Sequence, residues 1–135
     1  LGAKLGTMAT VVYVLLGAVG LPIFANFHGG ISALAGITGG YIWAWPFMTF
    51  LCGIHPKVQN KTANWAIRIV LALLGLAIVE VIGGIQWHFV GGSMSLSAIA
   101  IYSLIAFVPK DIVITILALF IAVPVRRAIE YAGAR

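Results

Sequence analysis

The chain has 135 residues, of which 62% are hydrophobic and only 8% charged, and its formal net charge is +5. A soluble domain carries about 25% charged residues, so this composition excludes one with an ordinary polar coat, whereas a surface facing hydrocarbon needs no such coat. The basic residues Lys4, Lys57, Lys61, Arg126, Arg127 and Arg135 stand at the ends of apolar runs, a placement that orients membrane helices, and no nucleic-acid partner is expected.

A spanning helix takes about 20 mostly apolar residues. Residues 5–25 supply the first such run, ending near Pro22, and 26–36 read as a Gly-containing loop. Residues 38–54 form a shorter, aromatic-rich second span. The polar stretch 55–64 reads as a connection, and 65–89 as the third and longest span. After a loop at 90–97, residues 98–108 are apolar but too short to cross alone, so a re-entrant or interfacial segment is expected. Pro109 then opens the last span, to about Val125, because proline suits the first helical turn. The prediction is all-α: a polytopic membrane helical bundle of about four transmembrane helices, forming a single membrane domain over 1–135. The basic 55–64 connection, the C-terminus and Lys4 place both ends of the chain in the cytoplasm, with 26–36 and 90–97 outside. No charged segment followed by a cleavage site opens the chain, so no signal peptide is expected, and the start at Leu1 suggests further sequence before it.

Small and polar residues line helix faces: Gly6, Thr10, Tyr13, Gly17 and Gly20 on the first span, and Glu80, Gly83 or Gly84, and Trp87 on the third. Such stripes let membrane helices approach closely. Ionisable residues inside spans stand out, since a charge at mid-bilayer costs about 2.5–3.5 kcal/mol even on lenient scales. Lys110 and Asp111 fall at the predicted outer end of the last span. They are either an interfacial pair that caps a helix, or a ligand site in which Lys110 meets an anionic group and Asp111 accepts a polar hydrogen. Glu80 lies deeper, either hydrogen-bonded to a neighbour or serving a proton relay. Tyr41, Trp45 and Met48 share a face amid Trp43, Phe47 and Phe50, which fits an aromatic belt or a pocket wall. His28 and His88 fall near the two outer loops, but two histidines make no metal site, and none is expected. Cys52, alone, can form no internal disulfide and reads as a packing residue. Asn60-Lys61-Thr62 matches the glycosylation pattern but lies on the predicted cytoplasmic side. No Walker A sequence, nucleophile elbow, HExxH or Rossmann pattern occurs, so neither enzymatic activity nor a cofactor is expected.

Residues 13–41 are more specific. Tyr13-Val14-Leu15-Leu16-Gly17-Ala18-Val19-Gly20-Leu21-Pro22-Ile23-Phe24-Ala25-Asn26-Phe27-His28-Gly29-Gly30, followed by Thr38-Gly39-Gly40-Tyr41, resembles the BioY family, the substrate-binding (S) subunits of biotin transporters of the energy-coupling factor (ECF) type. Phe107-Val108-Pro109-Lys110-Asp111 resembles the F-x-P-x-D segment opening that family's last helix, and Gly84 and Trp87 match its G-x-x-W pattern. The family usually has six membrane helices, and this chain is similar to the last four. It departs from the pattern at Ile114, where a lysine is common, with Lys110 instead preceding the aspartate, and at Glu80 and Val81, where apolar and tyrosine residues are usual.

The resemblance implies a membrane subunit for biotin uptake, with biotin as transported ligand. Its partners would be an energy-coupling transmembrane subunit, ATP-binding subunits and the lipid bilayer. Biotin pairs an aliphatic carboxylate with a polar ureido ring, so its pocket needs a cation, hydrogen-bonding groups and apolar walls. The expected substrate-binding residues are Lys110 for the carboxylate, Asp111 and Asn26 for polar groups, and Tyr41 and Trp45 as walls. Phe24, Gly29 and Gly30 are the expected lid loop. Two other readings stay open: a structural or assembly membrane protein without a ligand, and a proton-coupled small-molecule carrier using Glu80.

Overall fold

The computed structural model describes residues 1–56 and 58–133. Lys57 and Arg135, counted above among the basic flanks, lie outside the described residues, as does the side chain of Arg127. Six helices follow in order: α1 (Gly2–Ala18), α2 (Ile31–Ala35), α3 (Gly39–Cys52), α4 (Lys61–Gly91), α5 (Leu96–Ala106) and α6 (Val108–Gly133), with a 3-10 turn at Ala25–Phe27 between α1 and α2. Among the described residues there is no strand. This is the helical membrane bundle expected, with α1, α3, α4 and α6 matching the four apolar runs.

The first helix is shorter than predicted. It stops at Ala18 rather than near Pro22, because Gly20 turns to φ 114° and Pro22 has no N–H to continue the ladder. Residues 19–38 therefore form a folded cap over α1 and α3. α4 and α6 are each long and apolar enough to cross a membrane. α1 and α3, at 17 and 14 residues, are shorter.

α4 begins at a built N-cap. The Asn60 side chain accepts from the backbone N–H groups of Thr62 and Ala63, at 3.0 and 3.3 Å. This gives Asn60-Lys61-Thr62 a structural reason to exist: the asparagine satisfies two orphan donors of the first helical turn. Asn60→Ala is expected to lower stability by about 1 kcal/mol, read as a fall in the thermal midpoint with ligand affinity unchanged.

α3 packs most extensively on α4, and next on α1. Part of the small-residue stripe of α1 faces α3: a Cβ at Gly6 would meet Thr49 at 3.3 Å, Thr10 Oγ1 bonds Thr49 Oγ1 at 3.0 Å, and Tyr13 lies against Trp45 with ring centroids 6.0 Å apart, whereas Gly17 receives the Phe24 ring and Gly20 lies beyond the helix. Between α3 and α4, a Cβ at Gly83 would stand 2.4 Å from the Tyr41 ring. The second glycine of T-G-G-Y and the first of the G-G pair in α4 are thus among the places where the two helices come close, as is Gly75 against Met48.

α5 and α6 together run antiparallel to α4. Ile99 sits across from Gly84, Ser103 beside Glu80, and Phe120 stacks on Trp65 at 5.2 Å. They are two halves of one descending path, broken at Phe107, since Pro109 has no N–H to offer Ile105. The segment expected to be re-entrant or interfacial is α5, which packs on α4 and α6. α1 and α6 turn Leu5, Met8, Leu15, Leu117, Phe120 and Ile121 outward, a surface that suits lipid.

Candidate functional site

The break between α5 and α6 gathers the ionisable residues. Lys110 Nζ pairs with Asp111 Oδ1 at 2.8 Å, their side chains 60% and 27% exposed. The ammonium also stands 5.9 Å from the centroid of the Phe107 ring, within the range of a cation–π contact. Phe107 meets Tyr41 edge-on at 6.4 Å and Tyr102 at 5.6 Å. Asp111 occupies the first turn of α6, where the positive end of the helix dipole favours a carboxylate.

Glu80 lies within electrostatic reach of both Asp111 and Lys110, and the Ser103 hydroxyl stands next to both Glu80 and the Tyr41 phenol. Tyr41 OH, Glu80 Oε2 and Ser103 Oγ are buried there beside one another. The structure therefore brings together Tyr41, Lys110 and Asp111 of the predicted set and adds Glu80, Ser103 and Phe107. Ser103 was not singled out from the sequence, because a serine within an apolar run carries no motif.

Lys110 and Asp111 do open the last helix, but that helix does not start at the end of the bundle. α5, with 11 residues, first descends about 16 Å at 1.5 Å per residue, so the pair sits beside Glu80 well below the 92–95 turn.

The other predicted residues lie apart from this cluster. Trp45 joins Tyr13 and Phe24 in an aromatic group, 6.5 Å from the Phe24 ring, and connects to Tyr41 one turn away on α3. Asn26 is exposed, in a left-handed turn at φ 57°, ψ 31°, and its side chain forms no hydrogen bond among the described residues. Of the expected lid, Phe24 points inward at 6% exposure and fills the space over Gly17. Gly29 lies against the Leu21 carbonyl, and Gly30, at φ 89°, donates to Gly17 O at 2.6 Å. Gln86 Nε2 ties the same cap to α4 by donating to Leu34 O and Gly36 O, at 2.8 and 2.7 Å. Gln86 was missed because a lone neutral polar residue in an apolar run gives no sign of its partner.

His28 and His88 do not meet. His28 Nδ1 faces Ala25 O and His88 Nδ1 faces Met94 O, and the described residues include no group of three or more potential metal ligands. Trp43, Phe47 and Phe50 face outward, as a belt would.

A separate cavity of about 540 Å³ opens at the opposite, basic end, lined by His55, Asn64, Trp65, Arg68 and Arg126 among others. It is remote from the cluster, and its polar groups are engaged with one another: Arg68 Nε donates to Asn64 Oδ1 at 2.7 Å, and Arg126 meets His55 Nε2. Burial, aided by the positive charges of Arg126 and Arg68, holds the His55 imidazole below its ordinary value. The neutral ring suits both contacts, with Nε2 accepting from Arg126 and Nδ1–H donating to Gly53 O. A lowered folded value means that the unfolded chain takes up the proton first as pH falls. Stability should therefore be full above the ordinary histidine range, about 6.5, and decline as the pH drops below it. Thermal melts across that range should show this acid slope, and His55→Gln should flatten it.

A family model described as the BioY family matches residues 1–131. The chain is 35% identical over 122 residues to a probable biotin transporter BioY of Pyrococcus horikoshii, covering 90% of this chain and 68% of that protein. It is 40% identical over 89 residues to the biotin transporter BioY of Thermotoga maritima, covering 66% and 51%. To the biotin transporter BioY of Lactococcus lactis it is 32% identical over 130 residues, covering 94% and 68%. Among solved structures it is similar to the S-component for biotin from an ECF-type ABC transporter, with a TM-score of 0.82 at 31% identity, covering 94% of this chain and 68% of that one. The chain thus spans about two thirds of the Pyrococcus and Lactococcus proteins and about half of the Thermotoga protein.

Proposed function

Because the chain belongs to the BioY family, we infer that it is a membrane substrate-binding subunit for biotin uptake, taking biotin from the outer side and working with a separate coupling subunit and ATP-binding subunits. It is a binding component of a transporter and not an enzyme. The relatives named as biotin transporters and the similar biotin S-component support this reading. The observation that carries it is the Lys110–Asp111 pair, held against Phe107 and Tyr41 where the descending path breaks. A cation, an acceptor and aromatic walls at one place are what a small, partly apolar acid requires.

Lys110 has a flexible stem and a mostly exposed head. Its ammonium can exchange Asp111 for the biotin carboxylate, which frees Asp111 to accept a polar hydrogen from the ligand. The basic end, with Lys4, Lys61, Arg68 and Arg126, is assigned to the cytoplasm together with both termini, and the 19–38 cap and the 92–95 turn to the outside.

The test is the thermal stability of the full-length protein in detergent, with and without excess biotin. Binding confined to the folded state raises stability by about 2.7 kcal/mol at a hundredfold excess over the dissociation constant. A folded protein that shows no shift would overturn the biotin reading and favour an assembly role.

A further inference from the structure

We propose that the cavity at the basic end is a binding site for the phosphate headgroup of an anionic membrane phospholipid, separate from Lys110 and Asp111 and independent of the ligand they take. Its volume of about 540 Å³ is that of a small-molecule site. Lys61 and Arg68 line it from α4 and Arg126 lines it from α6. The segments that build it, 55–68 and 123–135, hold six lysines and arginines and a single acid, Glu130. One carboxylate can offset one of these charges, so a large positive excess remains at this end. The two arginines are held in part by neutral groups. Arg68 Nε donates to Asn64 Oδ1 at 2.7 Å, and Arg126 donates to the neutral His55 ring. Asn64 Nδ2 in turn donates to Pro56 O at 2.9 Å, which ties the connection to α4. Contacts of this kind orient a guanidinium without cancelling its charge, and an oriented guanidinium is the group best shaped to grip a phosphate.

The apolar part of the cavity favours a lipid over a free phosphate. Val58, Trp65 and Val123 also line it. Trp65 stacks on Phe120 at 5.2 Å. Phe120 lies one turn before Val123 on α6, and Leu117 and Ile121, which turn outward, continue the same face. An apolar lane therefore leads from the cavity along the surface of α6 that suits hydrocarbon. A molecule with an anionic head and aliphatic tails uses both parts, whereas inorganic phosphate uses the head alone. Tryptophan favours the headgroup level of a bilayer, and basic pockets between helices at the cytoplasmic surface take anionic lipid headgroups. The basic end is the one assigned to the cytoplasm above.

The test titrates the full-length protein in detergent with dioleoyl phosphatidylglycerol, with dioleoyl phosphatidylcholine and with inorganic phosphate, reading the thermal midpoint and the lipid retained in native mass spectrometry. Phosphatidylglycerol should raise the midpoint and stay bound, and the zwitterionic lipid and inorganic phosphate should do neither. A basic side chain at an anionic surface is worth enough to predict a loss of roughly fivefold in phosphatidylglycerol affinity for Lys61→Gln and for Arg126→Gln, and a larger loss when both are changed. Lys4→Gln is the control: it removes one charge from the same end, but Lys4 does not line the cavity, so affinity should hold within about twofold. If Arg126→Gln does not fold, Lys61→Gln, at an exposed position, decides. Equal responses to the two lipids, undiminished affinity in the cavity variants, or an equal loss in Lys4→Gln overturns the site. A response to inorganic phosphate as large as that to phosphatidylglycerol overturns the lipid as its occupant in favour of a free anion. Biotin binding is expected to be the same in all three variants, so the result stands apart from the biotin reading.

Discussion

Gly39→Ala is expected to destabilise the protein by about 3 kcal/mol or more, although it adds a single methyl group. The Cβ it introduces would lie 1.8 Å from the Leu34 carbonyl oxygen, 2.4 Å from the Leu34 carbonyl carbon and 2.5 Å from Gln86 Nε2. Two of these neighbours are backbone, so no rotamer change relieves the clash. The third is the amide that ties the cap to α4 through Leu34 O and Gly36 O. The methyl must therefore push α2 away from α3, move Gln86, or both. Displacing Gln86 leaves two carbonyls and an amide short of partners, each costing about 1–3 kcal/mol when buried. Gly84→Ala is the matched control: its Cβ would meet Ile99 Cγ2 at 3.6 Å, an ordinary contact, and its effect should stay within about 0.5 kcal/mol. Thermal midpoints of the two variants, measured side by side, separate a steric fault at α2–α3 from a general intolerance of alanine in this bundle.

The same contact illustrates what the sequence discloses and what it withholds. The apolar runs reveal α1, α3, α4 and α6, because about 20 residues of hydrocarbon compatibility is a length signal that a sequence carries directly. The strings at 38–41 and 83–87 reveal the family but not why their glycines are there. That reason is a pairwise approach, Gly39 to Leu34 and Gly83 to Tyr41, and no single-chain periodicity encodes a partner. The neighbours of Lys110 and Asp111 stay hidden for a related cause. An 11-residue apolar segment is ambiguous between an interfacial helix and half a crossing, and its packing on α4 and α6 is a pairing that the sequence does not encode. Glu80 was visible as an ionisable residue within a span, whereas its neighbours Ser103 and Tyr41 became a group only in three dimensions. Phe24, expected in a lid, fills the space over Gly17, a placement that follows from the early end of α1 and that hydropathy alone does not register.

Asp111→Ala is expected to weaken biotin binding by roughly a hundredfold, the upper range for loss of a hydrogen bond to a charged group. The pair it breaks is adjacent in sequence and half-open to solvent. On stability grounds alone, its removal should therefore cost little, as exposed ion pairs contribute about 0–1 kcal/mol. That contrast gives the prediction its force: a large loss of affinity with a small change in the ligand-free midpoint is the signature of a binding residue, and the reverse is the signature of a helix cap. Asp111 also sits in the first turn of α6, where its charge favours the helix, so a modest loss of midpoint is expected in either case and affinity is the deciding measurement. Lys110→Ala should also weaken biotin, but not a neutral analogue in which the carboxylate is replaced by an amide. Asp111→Ala should weaken both ligands alike, because it addresses the polar ring rather than the acid. If the two substitutions instead act identically on biotin and on the amide, the lysine and the aspartate serve only each other, and the cation for the carboxylate must come from elsewhere in the protein.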